Sequence, residues 1–242
     1  MILRRITQHL KDQNWFAVAL DFVIVVLGIL IAFQITNWNE AQQNDVQAQR
    51  FLERLEQDFI QHLEQVDRGL ILHKQSIVAS SRLTNGIQIG VLDQNHLIAD
   101  IDSITNISTP PGPSSAFQEL VSSGKTDLIR SESLRNDLYS YNSNISFLRA
   151  TYMTLTTPIN NTQTALMPAM KMQITETPSL DFEQHGRPTS IDSSVLLNNT
   201  ELLNSLKATY LIHDNIHLLL KRTHAVIKNI LASIKAEKEK TQ

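Results

Sequence analysis

The sequence predicts an all-α protein: a single N-terminal transmembrane helix continuing into an antiparallel helical bundle. Three observations predict it. The stretch from Trp15 to Ile35 is apolar and spans roughly 30 Å as a helix, enough to cross a bilayer once, and no other stretch does so. Only seven glycines and seven prolines punctuate the 242 residues. Between them the apolar residues recur at three- and four-residue steps rather than alternating.

Taken in order, the elements begin with the span itself, bracketed by Trp15 and Trp38, the only two tryptophans, where amphipathic rings settle at headgroup boundaries. No proline separates Trp15 from Asn85, so span and stalk read as one long helix. Its buried side is predicted at Leu52, Leu55, Phe59, Val66, Leu70 and Ile77, with Glu53, Glu56, Gln57 and Glu64 opposite. Asn85-Gly86 supplies a left-handed stop, and Asp93 is placed to cap a short successor running to about Ile104. Pro110, Pro111 and Pro113 make Ser108 to Ser114 a rigid crossover.

Ser115 and Gln118 stand in capping-box spacing and open a brief helix that Gly124 closes, with Leu128 and Ile129 filling an apolar corner. A long helix is expected from about Ser131, with Leu134, Leu138, Tyr141, Ile145, Leu148 and Tyr152 on one face. It continues toward Met172 with kinks at Pro158 and Pro168. Pro178 to Pro188 reads as a loop. Asn198 with Glu201 marks the start of a last helix, whose stripe is Leu203, Leu206, Tyr210, His213, His217, Leu220, His224, Ile227, Leu231 and Ile234. Short helices and three long amphipathic ones make a bundle with antiparallel neighbours as the default packing.

Flanking charge orients the span. Arg4, Arg5 and Lys11 precede it, whereas no Lys or Arg follows until Arg50, so residues 1–14 are expected in the cytoplasm, 15–35 in the membrane and 36–242 outside. In a bacterium that outside is the periplasm, and the membrane is the inner one. A cleaved signal peptide competes with this reading, but the apolar run exceeds the usual h-region of about 7 to 15 residues and no A-x-A site follows. The absence of cysteine excludes disulfides, thiolate metal sites and cysteine nucleophiles. A net charge of -3 argues against nucleic acid as a partner. The basic stretch Lys228 to Lys240 is interleaved with Glu237 and Glu239 and reads as a solvated helix end.

The membrane exit GILIAFQITNWNE, Gly28 to Glu40, resembles that of a bacterial family of uncharacterised single-pass membrane proteins, the domain of unknown function 6090 type, whose members typically read GILIALQINNWNE. Asp21 matches an acidic residue ahead of the apolar run. The stretch Phe117 to Ile129, continuing through Leu134, Arg135, Leu138 and Tyr141, is similar to a second motif of that family. Phe33 and Thr36 depart mildly from the usual Leu and Asn. The resemblance implies membrane location and an α-helical body, and it lends no activity.

Five sets of residues invite a chemical reading. Asp21, roughly 9 Å inside the Trp15 boundary by helical rise, is costly in lipid unless paired, protonated or hydrated. Ala17, Asp21, Gly28 and Ala32 share a face on which small residues admit another helix; the competing reading leaves Asp21 wet among headgroups. Gly124-Lys125-Thr126 is not a phosphate loop, because the required earlier glycine is Glu119. His213 and His217, at i and i+4, lack the third and fourth ligands of a zinc site, so no metal or cofactor is expected. His62, His73, His213, His217 and His224 are candidates for proton sensing, set against the plainer reading of partly buried core histidines.

No catalytic constellation is legible in so helical a chain, and an enzyme is not expected. The leading expectation is a non-enzymatic scaffold that binds lipid bilayer, itself or another envelope protein. The alternative is a ligand- or pH-sensing domain signalling through a membrane partner.

Overall fold

The structure, a computed structural model, describes residues 15–174 and 186–240. The chain divides into two compact units, 1–50 and 51–242. Among the described residues there are seven α-helices: α1 Trp15–Ile89, α2 Leu97–Thr105, α3 Ser115–Ser122, α4 Glu132–Leu155, α5 Thr157–Leu166, α6 Ser193–Leu197 and α7 Thr200–Lys240. Short 3-10 turns stand at Thr126–Leu128 and Met167–Ala169. Two strands, β1 Met170–Ile174 and β2 Gly186–Ile191, pair antiparallel with a bulge between Lys171 and Met172. The cytoplasmic segment expected at 1–14, with Arg4, Arg5 and Lys11, lies outside the described residues, as does most of the loop expected at Pro178 to Pro188.

In the first unit α1 runs through the apolar stretch, and every side chain described from Ala19 to Asn44 is exposed. Among the described residues this is the one helix long and apolar enough to cross a membrane.

The second unit buries two apolar clusters. One joins Leu52, Leu55, Phe59 and Val66 of α1 to Phe117 and Leu120 of α3, Leu134, Leu138 and Ile145 of α4, and Ile216, Leu220, Ile227 and Ile234 of α7. The other joins Ala79, Leu83 and Ile87 of α1 to Leu97, Ile101 and Ile104 of α2, Leu166, Leu196, and Leu202 and Leu206 of α7. Between them along both long helices comes a buried polar stretch, His73 and Ser76 on α1 and Thr209 and His213 on α7, and Ser80 is buried just beyond it. Ties between these helices pair Glu56 with Lys238, Asp67 with His224, and His73 with His213, so partners on α7 descend as α1 ascends.

Local chemistry explains the boundaries. α1 does not stop at Asn85-Gly86. It continues to Ile89 and ends at Gly90, which adopts φ 77. The amide of Val91 then donates to Gly86 O at 2.9 Å and that of Gly90 to Ile87 O at 3.3 Å, the paired bonds of a left-handed helix terminator. Gly124, at φ 68, closes α3 the same way, with Lys125 N donating to Leu120 O and Gly124 N to Val121 O. Gly86 serves another need: a Cβ there meets Val91 O at 2.8 Å.

Two predicted caps fall one residue away from the observed ones. Ser114, not Ser115, caps α3 by accepting from Phe117 N at 3.2 Å, and Asn199, not Asn198, accepts from Leu202 N at 2.9 Å. Asp93 does not cap α2; it accepts from Asn95 N and meets His96, fixing the turn ahead of the helix. α4 starts where expected, after Ser131, which caps it by accepting from Leu134 N.

The helix read as running toward Met172 ends at Leu155, because Pro158 fits only the first turn of a new helix, α5. Pro168 opens the 3-10 turn, and Met170 onward is strand. The all-α expectation therefore omitted a two-stranded pair, in which Pro188 is tolerated because each strand has a free edge. The end of α7 is also less solvated than its charge run suggests: Glu237 is buried and Lys238 pairs with Glu56 at 2.6 Å.

Candidate functional site

The crossover at 106–114 has no regular backbone partners, and its prolines have no N–H to offer, so its polar groups depend on side chains from the helices around it. Gln65 donates to Thr109 O at 2.9 Å, Arg149 to Pro110 O at 3.1 Å, and the Tyr141 hydroxyl to Gly112 O at 3.5 Å. Ser114 N donates to Asn142 at 3.1 Å. Two clusters of titratable groups grip the segment, one at each end.

At the far end Asp58 of α1 accepts from the hydroxyls of Ser114 and Ser115 and from Ala116 N, at 2.9, 3.1 and 3.0 Å. A carboxylate from one helix thus sits on the positive end of another. Burial pushes the Asp58 carboxyl up, but those donors and His62 outweigh it and hold the group below the usual carboxylate range. Beside it His62 stacks on Tyr141, with Nδ1 at 2.9 Å from the phenol oxygen, and both rings pack against Phe59. Burial lowers the His62 pKa against the pull of Asp58, and burial raises that of Tyr141.

At the near end His73 of α1 and His213 of α7 meet ring to ring, Nδ1 to Nδ1 at 2.8 Å, both fully buried. His73 Nε2 lies 2.9 Å from Ser108 Oγ, and His213 Nε2 lies 3.2 Å from Ile104 O, a carbonyl in the last turn of α2. These neighbours assign the protons. A carbonyl only accepts, so His213 carries its hydrogen on Nε2 and its Nδ1 is an acceptor. His73 must then donate from Nδ1, leaving its Nε2 to accept from the Ser108 hydroxyl. The result is one directed chain, Ser108 to His73 to His213 to Ile104, satisfied throughout by two neutral imidazoles. Burial, followed by the nearby His213 and His217, lowers the pKa of His73 to about 3; burial lowers that of His213 against the help of the Ile104 bond.

The remaining expected residues fall elsewhere. His217 is half-buried near His73, and its Nδ1 has no hydrogen-bond partner among the described residues. His224 pairs with Asp67 at 3.3 Å. The five histidines thus occupy three places rather than one, and among the described residues no group of three His, Asp or Glu is arranged to hold a metal. In the first unit Asp21, Gly28, Ala32 and Trp38 are exposed, and a Cβ on Gly28 meets nothing within 4 Å. Trp15 and Ala17 lie in the same helix.

Spacing alone missed Asp58, Ser108 and Glu237. Asp58 stands on a face of acids and amides that reads as solvated, and its partners are 56 to 58 residues away. The partner of His73 is 140 residues away.

A profile described as a family of unknown function, DUF6090, matches residues 21–154. Comparisons with curated proteins and with solved structures found no similar chain.

Proposed function

Because the chain belongs to DUF6090, a family of unknown function that lends no activity, we propose from its own geometry that it is a single-pass inner-membrane protein of a bacterium. Residues 1–14 face the cytoplasm, and a periplasmic bundle of antiparallel helices acts as a non-enzymatic scaffold for itself or another envelope protein. The observation that carries this reading is the apolar first unit, whose described side chains from Ala19 to Ile35 have no protein covering them. Such a surface is stable in lipid and a liability in water. The descending order of partners from Glu56–Lys238 to His73–His213 supports antiparallel α1 and α7. The exposed Gly28 and Ala32 admit a second helix in the membrane.

Single cysteines placed at Gln61 and at Thr7 in the cysteine-free chain test the orientation. A membrane-impermeant maleimide added to spheroplasts labels the first and spares the second; the reverse pattern, or release of the protein by alkaline carbonate, refutes the reading. A stoichiometric protein co-purifying from membranes supports the scaffold, and a retained small molecule supports the alternative, a periplasmic ligand- or pH-sensing domain signalling through a membrane partner. One observation favours that alternative: two buried imidazoles in contact with no carboxylate acting on either.

A further inference from the structure

His73 and His213 lie where the two apolar clusters of the body give way to a buried polar layer. Above the pair on α1 come Ser76 and Ser80, and beside it on α7 comes Thr209, which meets Thr162 of α5 at 2.8 Å. Separating the two helices at this level breaks polar contacts while leaving both apolar clusters closed. The directed chain of hydrogen bonds also has a definite capacity for protons. One added proton is accommodated at His73 Nε2 if the Ser108 hydroxyl turns to accept. A second places N–H against N–H across a 2.8 Å gap, which no rotation of either ring in place relieves.

The surroundings do nothing to hold a charge. From α7 the nearest titratable group is His217, which repels a cation on His73. From α4 comes the phenol of Tyr152 near Ser108, itself pushed up to about 12 by burial. From α2 comes a carbonyl, while Asp100, a turn earlier, is turned to Arg82 at 3.2 Å. The crossover contributes Ser108. Among the described residues no carboxylate reaches either ring, so a cation formed here is better solvated outside than in.

We propose that the His73–His213 contact is an acid-released latch: proton uptake parts the rings, frees Ser108 and the Ile104 carbonyl, and opens residues 105–108 locally against α1 and α7. The rest stays in place, because Ser76 holds Ser103 and because Gln65, Arg149, Tyr141, Asn142 and Asp58 hold residues 109–116 independently of the pair. The latch gives the pH-sensing reading a part that moves, and rests on that reading only for its purpose; its chemistry stands on the body alone.

Amide hydrogen exchange of the full chain in detergent micelles, corrected for the intrinsic pH dependence, tests it. With an ordinary imidazole pKa of 6.5 and one of about 3 in the closed state, the opening constant rises about 30-fold between pH 7.5 and 5. That rise is expected across 105–108 and 209–217 and absent across 112–122. An equal rise in every helix, or none, overturns the latch. The double variant His73→Leu, His213→Leu abolishes the rise, whereas His62→Gln and His224→Gln keep it; the opposite pattern overturns the assignment. Should the double variant not fold, ring-proton resonances of the unmodified chain decide: His73 and His213 take up protons only together with the exchange step. Titration near 6.5 without any opening refutes the proposal. The cysteine-labelling test of orientation reads a different property, so either can fail alone.

Discussion

Replacing Gly69 by alanine sets two well-known effects against each other. In an open helix the change stabilises by about 1 kcal/mol, because glycine loses more backbone freedom on folding. Gly69 is not in the open: a Cβ there lies 2.8 Å from Ser108 Oγ, 2.9 Å from Leu220 Cδ1 and 3.4 Å from Ser108 Cβ. The crossover and α7 both close on α1 at this point. Ser108 cannot swing aside without giving up its 2.9 Å bond to His73, a loss of about 1 kcal/mol. Leu220 is buried in the apolar cluster, and forcing it off its rotamer costs about 0.5 to 1.5 kcal/mol. Overpacking of this kind typically totals about 1 to 3 kcal/mol, so the contact outweighs the propensity gain and Gly69→Ala destabilises by about 1 kcal/mol. Urea unfolding of the full chain in micelles, followed by helical circular dichroism, reads this as a midpoint lowered by about 0.5 M for a slope near 2 kcal/mol/M. In a Ser108→Ala background the 2.8 Å contact is gone and the cost of the second change shrinks. A midpoint that rises as for an open helix, or an equal cost in both backgrounds, refutes the reasoning.

Stability is expected to fall on mild acidification: the lowered pKa of His73 leaves stability intact above about 6.5 and removes it as the pH drops toward 3. By pH 5 that one group accounts for about 2 kcal/mol, and His213 and His62 act in the same direction. Urea midpoints at pH 7.5 and 5 measure the loss. Asp58 works in a lower window: its depressed pKa gives stability present above about 3.8 and lost as pH falls through the folded value, so Asp58→Asn is expected to flatten the profile below pH 4. Glu237→Ala removes the carboxylate that accepts from Ser131 N at 2.8 Å and costs about 1 to 3 kcal/mol, whereas Glu237→Gln keeps an acceptor and costs less. Gly124→Ala, at φ 68, is expected to cost about 1 kcal/mol by the same unfolding assay.

What the sequence makes legible follows the range of the interaction behind it. The apolar faces of α1 and α4 and the terminator at Gly124 are set by neighbours within a few residues, and they can be read directly. Cap positions can be read only to within one residue where two capable side chains adjoin, as in Ser114-Ser115 and Asn198-Asn199, because the choice is made by the path of the preceding chain. The predicted stripe of α7 is rotated for a related reason. Tyr210 and His217 fall in that stripe by spacing, yet the buried positions include Thr209 and Ile216, and Thr209 enters the interior because Thr162 meets it. The strand pair escapes notice since β1 is rich in methionine, an ordinary helix former, and β2 contains a proline. The histidines illustrate the limit most plainly: composition shows that they lie on apolar faces, but nothing local shows which of them meet.

The two gripped ends of the crossover differ in how they relate to the family match. Asp58, His62, Ser114 and Tyr141 all lie within residues 21–154, so that cluster is assembled wholly from the matched segment. His73 and Ser108 lie inside it as well, but His213 is contributed by α7, beyond its end. The Asp58 end is accordingly a fixed joint: a carboxylate on a helix terminus grows firmer as the pH rises out of the acid range, and it holds α3 against α1 whatever α7 does. The imidazole end closes only when α7 packs back along α1, and it weakens in the interval from 6.5 downward, where the carboxylate joint is still intact. One segment of chain, 106–114, is therefore held by two attachments that both loosen on acidification but in different pH windows. Between about pH 6.5 and 4 His62 weakens with the imidazole pair, but the bonds of Asp58 to Ser114, Ser115 and Ala116 stay whole, which is the condition for a local movement rather than general unfolding.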